Sequence, residues 1–510
     1  MRIDLHRQLR DYGAALEEAQ AAITGAEVAE RVDVAVRQMP TGRRRIPVWK
    51  HPALVASAAA VMALVLGGLV LGIARWISGG DSTLVDEPPV TTVVATTLVP
   101  QPRVDMERVL EGSSFEHNWM TSVVVGGPGL VAGGAAFDGY YHDAAVWTSP
   151  DGRTWERVGD DPAVFGDEAS TNEFGGVLPD ANQLITDLVS GPLGLVAVGA
   201  EGKPGDLDAA VWVSPDGLTW ERVPHDEEVF GGEGDQTMRS VVQTSDGVVA
   251  VGASGGHAAV WVSSDGRAWI RARINSAASS SELNDIAFAG GGLVAVGGVG
   301  LDWDNSGLGG WTPRPTAEPA MWFSTDGTVW NRVPDPTAEG QSGEPSAGSL
   351  TVIAAGRRGV VVIGAGPVGP VVWTSQDGSE WHALDAEFLD ESTTFHAVVD
   401  DLAWDGDRLV AVGGFRGTTP GFGWAPIRVA IWVSVDGGTT WQLGSEADLA
   451  LGEAGISDTP VPSPARLAQF GTSIVVVGND AIPTDQDING YIQHARNAAV
   501  WIVKLASVGQ

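Results

Sequence analysis

Three features of the sequence predict an all-β chain: a seven-bladed β-propeller closed by an N-terminal strand and preceded by one transmembrane helix and a short helical cytoplasmic segment. A strand, turn, strand unit carrying two tryptophans returns seven times, with its first Trp at 147, 212, 261, 322, 373, 432 and 501. The last copy lacks its final strand, and a matching strand stands ahead of the first copy, at Asp105–Val109. Residues 53–74 carry no charge at all. From these the domain limits follow as 1–50 cytoplasmic, 53–77 transmembrane, 78–104 stalk and 105–510 propeller.

The repeat comes first, because it sets the architecture. Its copies read AAVWTSPDGRTWERV from Ala144, AAVWVSPDGLTWERV from Ala209, AAVWVSSDGRAWIRA from Ala258, PAMWFSTDGTVWNRV from Pro319, PVVWTSQDGSEWHAL from Pro370, VAIWVSVDGGTTWQL from Val429 and the truncated AAVWIVK from Ala498. The first tryptophans lie 65, 49, 61, 51, 59 and 69 residues apart, so the unit is constant and its connections are not. Ahead of each copy runs an apolar strand ending in Gly, such as GLVAVG, and ahead of that another, such as LITDLVSG from Leu184. Four short strands in a unit of this size have the form of a propeller blade. The segment DMERV at 105–109 matches TWERV of the first two copies and is expected to pair with the strand around Trp501, which removes the open sheet edges.

Segments such as SVDGGTTW, from Ser434 through Asp436, Gly438 and Thr440 to Trp441, resemble the Asp-box, or BNR, repeat of sialidase-like propellers. The other five complete copies are one residue shorter, S-x-D-G-x-x-W. In such a turn an Asp caps backbone amides, a Gly accepts positive φ and a Trp lies over the hairpin. Thirteen of the 20 Trp occupy the two repeat positions and are therefore read as structural. The resemblance covers about 400 residues and concerns architecture, not activity.

Topology follows from the apolar run. Its 22 uncharged residues after Pro52 reach about 33 Å as a helix, enough to cross a bilayer core. Arg43, Arg44, Arg45 and Lys50 precede it and Asp81, Asp86 and Glu87 follow, so the N-terminus is expected inside and the propeller outside the cell membrane. A cleaved signal peptide competes with this reading, but the run is too long and starts too far from Met1. Gly68 and Gly72 form a G-x-x-x-G that would let two spans approach, a route to a homodimer. Inside, Leu5, Leu9, Tyr12 and Leu16 at helical spacing and a capping box at Thr24 and Glu27 suggest two small helices. They would dock a partner or pack on themselves. Residues 78–104, rich in Thr, Pro and Val, read as an extended stalk.

Composition narrows the partners. There is no Cys, so disulfides and thiolate metal sites are ruled out. Residues 105–510 carry 19 Lys or Arg against 54 Asp or Glu, a net charge of about −35. That field repels nucleic acid and favours cations, basic partners or plain solubility.

In an up-and-down blade the connections leave alternately on two faces. Those between strands one and two, and three and four, are all tight; the others are long, including Gly159 to Asn182, Asp226 to Thr237, Gly300 to Glu318, Gly417 to Pro426, Gly444 to Pro464 and Asp480 to Asn497. The long-loop face is expected to bind. Three groups of candidates lie on it. Asp187, Asp285 and Asp401, with Arg466 at the same position, would ring the mouth of the central channel and hold a cation or polar ligand, or cap local backbone. Asp485, Asp487 and Asn489, followed by Gly490, form half of a calcium loop whose twelfth position is Arg496 instead of Glu. Tyr140, Tyr141, Trp303, Trp311, Phe422, Trp424 and Tyr491 would stack on sugars, anchor a protein, or form the loops' own cores.

Function is read as a non-catalytic binding module for a protein, glycan or cell-wall ligand. The alternative implied by the resemblance is a sialidase-like glycoside hydrolase, which would need three converging arginines, a Tyr nucleophile and an acid/base Asp. Residues 105–510 lack the R-I-P signature, and Arg239, Arg314, Arg428 and Arg496 are the arginines in or near the right loops. A second alternative is a sensor that transmits external binding through the span.

Overall fold

The chain divides into two units, Met1–Ala95 and Thr96–Gln510. The computed structural model describes residues 104–109, 117–137, 142–159, 161–166, 170–171, 177–178, 182–203, 205–275, 280–300, 318–333, 348–365, 370–384, 386–388, 395–417, 428–446, 461–487 and 492–505, all in the second unit. The expected cytoplasmic helices, the span at 53–77 and nearly all of the stalk therefore lie outside the described residues, among which no helix is long and apolar enough to cross a membrane.

Seven antiparallel sheets, each of four meandering strands, follow one another along the chain. Blade one runs Asn118–Gly126, Gly129–Phe137, His142–Ser149 and Glu156–Arg157. Blade two runs Asn182–Gly191, Gly194–Lys203, Asp206–Ser214 and Glu221–Arg222; blade three runs Gln236–Thr244, Gly247–Ser254, His257–Ser263 and Trp269–Arg271. The innermost strands of blades four to seven are Ser281–Ala289, Leu350–Gly356, Phe395–Asp405 and Val461–Phe470. Blades four and six gain a fifth strand, because Arg273–Asn275 and Glu387–Phe388 pair in parallel with their outer edges.

Blade seven is completed from the other end of the domain. Val104–Val109 pairs antiparallel with Ile492–Leu505 in a register that sets Arg108 opposite Trp501. Glu107 then meets Arg153 of the blade-one turn at 2.6 Å, as Glu221 of blade two meets Arg267 of blade three at 2.6 Å. The borrowed strand thus occupies the place of an ordinary fourth strand. Both ion pairs are exposed and contribute little to stability.

The core is distributed in the same cyclic way. Seven apolar clusters lie at the seven boundaries between blades, and one of them joins Val475, Val477 and Val500 of blade seven to Met120, Trp147 and Trp155 of blade one. The ring is closed by packing as well as by strand pairing. All thirteen repeat tryptophans are buried, at 8% exposure or less. Burying one such ring is worth about 5 kcal/mol at most by area. Fourth-strand arginines cover them: Arg222 lies 4.8 Å from the Trp212 ring and Arg271 lies 5.1 Å from the Trp261 ring.

The turns between third and fourth strands have the geometry that their residues suggest. In blade one Asp151 Oδ1 accepts from the amides of Arg153 and Thr154 at 2.8 and 2.7 Å, Ser149 Oγ accepts from Gly152 N at 2.8 Å, and Trp155 Nε1 donates to Gly152 O at 2.9 Å. The longer turn of blade six keeps the same pattern, with Asp436 accepting from Thr439 and Thr440 and Trp441 donating to Gly438 O. Backbone amides hold the carboxyls of Asp151, Asp216, Asp265, Asp326 and Asp377 below their ordinary value.

The recurring Gly that closes each apolar run lies within the second strand, and it has a separate cause. Every innermost strand is interrupted by a register shift of one residue, for example between Ile185 and Asp187, and a Gly lies opposite. A Cβ on Gly199 would sit 1.8 Å from the Leu184 carbonyl oxygen, and one on Gly413 would sit 1.9 Å from that of Val398. Only a residue without a side chain lets the bulged strand close on its neighbour. Gly199→Ala should therefore cost about 2–4 kcal/mol in denaturant unfolding, whereas Gly159→Ala, which meets no atom within 4 Å, should be nearly neutral. Equal stability of the two variants would refute this account of the bulge.

Candidate functional site

The bulges decide what faces the central axis. The residue just after each register shift is Ser122, Asp187, Ser240, Asp285, Val352, Asp401 and Arg466 in blades one to seven. The structure thus places Asp187, Asp285, Asp401 and Arg466 at equivalent positions around the ring, as the sequence leads one to expect. It also shows what occupies them.

Each aspartate spans a blade boundary. Asp187 Oδ1 accepts from Ser122 Oγ of blade one at 2.7 Å, and its Oδ2 accepts from Val241 N of blade three at 3.0 Å. Asp285 repeats this with Ser240 Oγ at 2.7 Å and Ile353 N at 2.9 Å. Asp401 accepts from Leu402 N and Leu467 N, both at 2.8 Å. The extra residue of the bulge adds a second tie. Thr121 Oγ1 donates to Ile185 O at 2.5 Å, Thr186 Oγ1 to Met238 O at 2.6 Å, and Asn284 Nδ2 to Leu350 O at 2.8 Å. An innermost strand has no sheet partner on its axial edge, and these side chains satisfy the groups left over.

Burial and charge act together on this ring. Asp401 and Arg466 are half-buried by exposed area although protein surrounds them closely. Burial above all pushes the Asp401 carboxyl up to about 7, against the pull of the Arg466 guanidinium and with the push of Asp285. Burial also raises Asp285, again against Arg466. Desolvation opposes the charge of Arg466, yet Asp401, Asp285 and Asp187 hold it above its ordinary value. Blade five offers Val352 where Ser122 and Ser240 stand, so Asp401 receives no hydroxyl from it.

An open cleft of about 870 Å³ lies on the long-loop face, beside this ring and over blades two to four. Arg239, the extra bulge residue of blade three, lines it. Its Nη1 donates to Glu282 Oε2 at 2.6 Å and to Asn284 Oδ1 at 2.5 Å. Asp235, Thr237, Ser254 and His257 line the remainder, and Ala253 is the largest apolar side chain in its wall. Asp235 also accepts from Gly205 N and Leu207 N, which ties a blade-two connection to the rim. A second cavity, of about 520 Å³, opens on the tight-turn face between blades five and six, next to Arg358, Trp404 and Asp436.

Most of the other expected site residues cannot be placed relative to the cleft. Tyr140, Tyr141, Trp303, Trp311, Phe422, Trp424, Tyr491, Asn489 and Arg314 lie outside the described residues. Asp485 and Asp487 fall on the long strand Ser473–Asp487, where Asp487 pairs with Ile492 of the neighbouring strand. Arg428 and Arg496 are placed on strands. Of the four arginines considered for a substrate carboxylate, Arg239 is the one found in the cleft wall.

Reasoning from sequence missed Asp235 and Glu282 in this cleft. It also missed a one-turn segment at the start of two blade connections, D-P-A-V-F-G at Asp161–Gly166 and D-E-E-V-F-G at Asp226–Gly231. Each buries its Phe, and Val164 O and Val229 O accept from Trp212 Nε1 and Trp261 Nε1 at 2.7 and 2.8 Å. The repeated V-F-G was the signal available.

No protein-family model matches the chain, and no curated protein matches it. Solved structures of similar fold include the α-L-arabinofuranosidase Arb93A of Fusarium graminearum, at 14% identity and a TM-score of 0.36 over 63% of this chain and 94% of that one. The α-L-arabinanase of Penicillium chrysogenum follows at 12% and 0.32, over 78% and 97%. The β-propeller domain of the trilobed protease of Pyrococcus furiosus is similar at 8% and 0.38, over 78% and 97%. The propeller stands on the strand pairing described above, not on these likenesses.

The ring has a measurable pH signature. Between about pH 4 and pH 7 folded Asp401 holds a proton that the unfolded chain lacks, so its contribution to stability falls as pH rises through that window and is level above it. The turn aspartates have the opposite sign, contributing above their ordinary range and losing that contribution in acid. Urea midpoints of Asp401→Asn should therefore show a flatter slope between about pH 5 and 7 than those of the unaltered protein. An unchanged slope would assign the titration elsewhere.

Proposed function

We propose that this propeller recognises a carbohydrate, held outside the membrane in the cleft over blades two to four. The observation that carries the proposal is the composition of the cleft wall: among the described residues it consists of carboxylates, one guanidinium, hydroxyls, an imidazole and glycines, with nothing more apolar than Ala253. Pockets for apolar ligands are walled mainly by hydrophobic and aromatic side chains. A polyhydroxylated ligand instead needs fixed donors and acceptors close together, and the Arg239, Glu282 and Asn284 network supplies them from two adjacent blades. The strong negative charge of the exported part disfavours an anionic ligand such as nucleic acid.

Glycoside hydrolysis is the second reading. One observation favours it: the cleft gathers carboxylates in unlike settings, Glu282 buried against Arg239, and Glu233 and Asp235 exposed. Two carboxyl groups in different environments are what such hydrolysis requires. The S-x-D-G-x-x-W turns, with their Asp and Ser capping bonds, support membership of the Asp-box propellers. The charge contrast across residues 53–77 supports an anchor there, with 78–104 as the stalk that lifts the domain from the bilayer.

A glycan array and a panel of chromogenic glycosides test both readings. Because two of the proteins of similar fold are by name an arabinofuranosidase and an arabinanase, arabinosides belong in the panel beside sialosides. The expected result is saturable binding of a neutral glycan that Arg239→Ala weakens by roughly tenfold to a hundredfold, about 1.4–2.8 kcal/mol, with no turnover. Turnover lost in Glu282→Gln would establish the hydrolase instead. Failure to retain any glycan would reject the carbohydrate reading.

A further inference from the structure

Blade two carries a second cluster of donor groups, separate from the cleft wall. His225 follows the fourth strand, and its Nε2 lies 3.8 Å from Asp208 Oδ2 on the third strand and 3.2 Å from Glu227 Oε2 in the connection to blade three. The three donor atoms all lie within 4.8 Å of one another. Two donors bound about 2.1 Å from one ion stand about 3.0–4.2 Å apart as the angle between them opens from a right angle to a straight line, so 3.2 and 3.8 Å suit a shared ion.

The backbone that presents these groups is fixed. Asp208 lies opposite Glu201 in the sheet, Val223 N donates to Val211 O just before His225, and the turn holding Glu227 is closed by Phe230 N to Asp226 O at 2.7 Å. The charge in the cluster is uneven. Glu201 is paired with Arg222 at 2.5 Å and lies 3.9 Å from His225 Nδ1, whereas Asp208 and Glu227 share the imidazole's Nε2. Two carboxylates, Asp208 and Glu227, stand 3.8 and 3.2 Å from the same imidazole nitrogen, so their charges repel across a short gap. A cation would relieve that repulsion.

We propose that Asp208, His225 and Glu227 bind one divalent transition-metal ion of the zinc class, which clamps the 226–235 connection to the blade-two sheet. One imidazole and two carboxylates form a neutral set with a divalent ion, and an N/O donor set of three suits zinc, with water completing the shell. Calcium, which takes six to eight oxygens, is disfavoured by the imidazole and the small number of ligands. The far end of the clamped connection carries Glu233 and Asp235 of the cleft rim, so the ion would stiffen one wall of the cleft.

Calorimetric titration of the chelator-treated full chain with zinc, and separately with calcium, tests this, together with cobalt(II) absorption. The unaltered protein should show a zinc site and a cobalt ligand-field spectrum, both lost or weakened at least tenfold in His225→Gln and Asp208→Asn and kept in His382→Gln. Thermal unfolding guards against misfolding. Without metal, Asp208→Asn should be at least as stable as the parent, because a repelling carboxylate is gone; with zinc, the parent alone should gain stability. The inference is overturned if the parent binds no zinc, if both site variants bind it as the parent does, or if calcium binds there more tightly.

Discussion

A backbone amide that ends on the carboxylate of the preceding blade is the interaction on which this molecule depends. A propeller solves the problem of open sheet edges at its rim, yet it creates seven strands whose inner edge has no sheet partner. Here a one-residue bulge turns carboxylates across three of the blade boundaries, so that Asp187, Asp285 and Asp401 meet the amides of Val241, Ile353 and Leu467. The bulge in turn demands Gly199, Gly413 and their counterparts opposite it. One local irregularity thus accounts for the aspartates on the axis, the recurring glycine and the alignment of neighbouring blades.

Much of the architecture was legible because it is written in short segments. A hairpin with Ser, Asp, Gly and Trp at set spacing carries its own hydrogen bonds, and seven copies count the blades without reference to the rest of the chain. The closing strand was legible for a similar reason, since Glu107 and Arg108 repeat a pair already present in TWERV. The axial aspartates were located correctly in the repeat, but their partners lie 54 to 68 residues away on the next blade. No spacing rule within one blade reveals such a bond. The cleft was hidden for the same reason: Arg239 and Glu282 belong to different blades and share no motif.

The two faces divide the work of the molecule in physical terms. On the tight-turn face the hairpins between third and fourth strands are capped, their Asp carboxylates bonded to backbone amides. The other face carries connections of variable length over a rigid base, and the open cleft forms where two of them approach each other. The hydrogen bonds from Trp212 and Trp261 into the one-turn segments anchor those connections to the core of the following blade. Sites on such a face inherit the precision of the sheet beneath them.

The column Ser122, Asp187, Ser240, Asp285 has an arithmetic of its own. Donor and acceptor alternate from blade to blade, and a strictly alternating circle closes only when its members are even in number. A ring of seven must break the alternation somewhere, and it does so at Val352, which offers neither donor nor acceptor, and at Arg466, a donor beside the donor Ser122. There the hydroxyl is missing, burial raises the Asp401 carboxyl, and the permanent cation of Arg466 pulls against that rise. The oddness of the blade count is thereby converted into one electrostatically singular sector in an otherwise periodic structure.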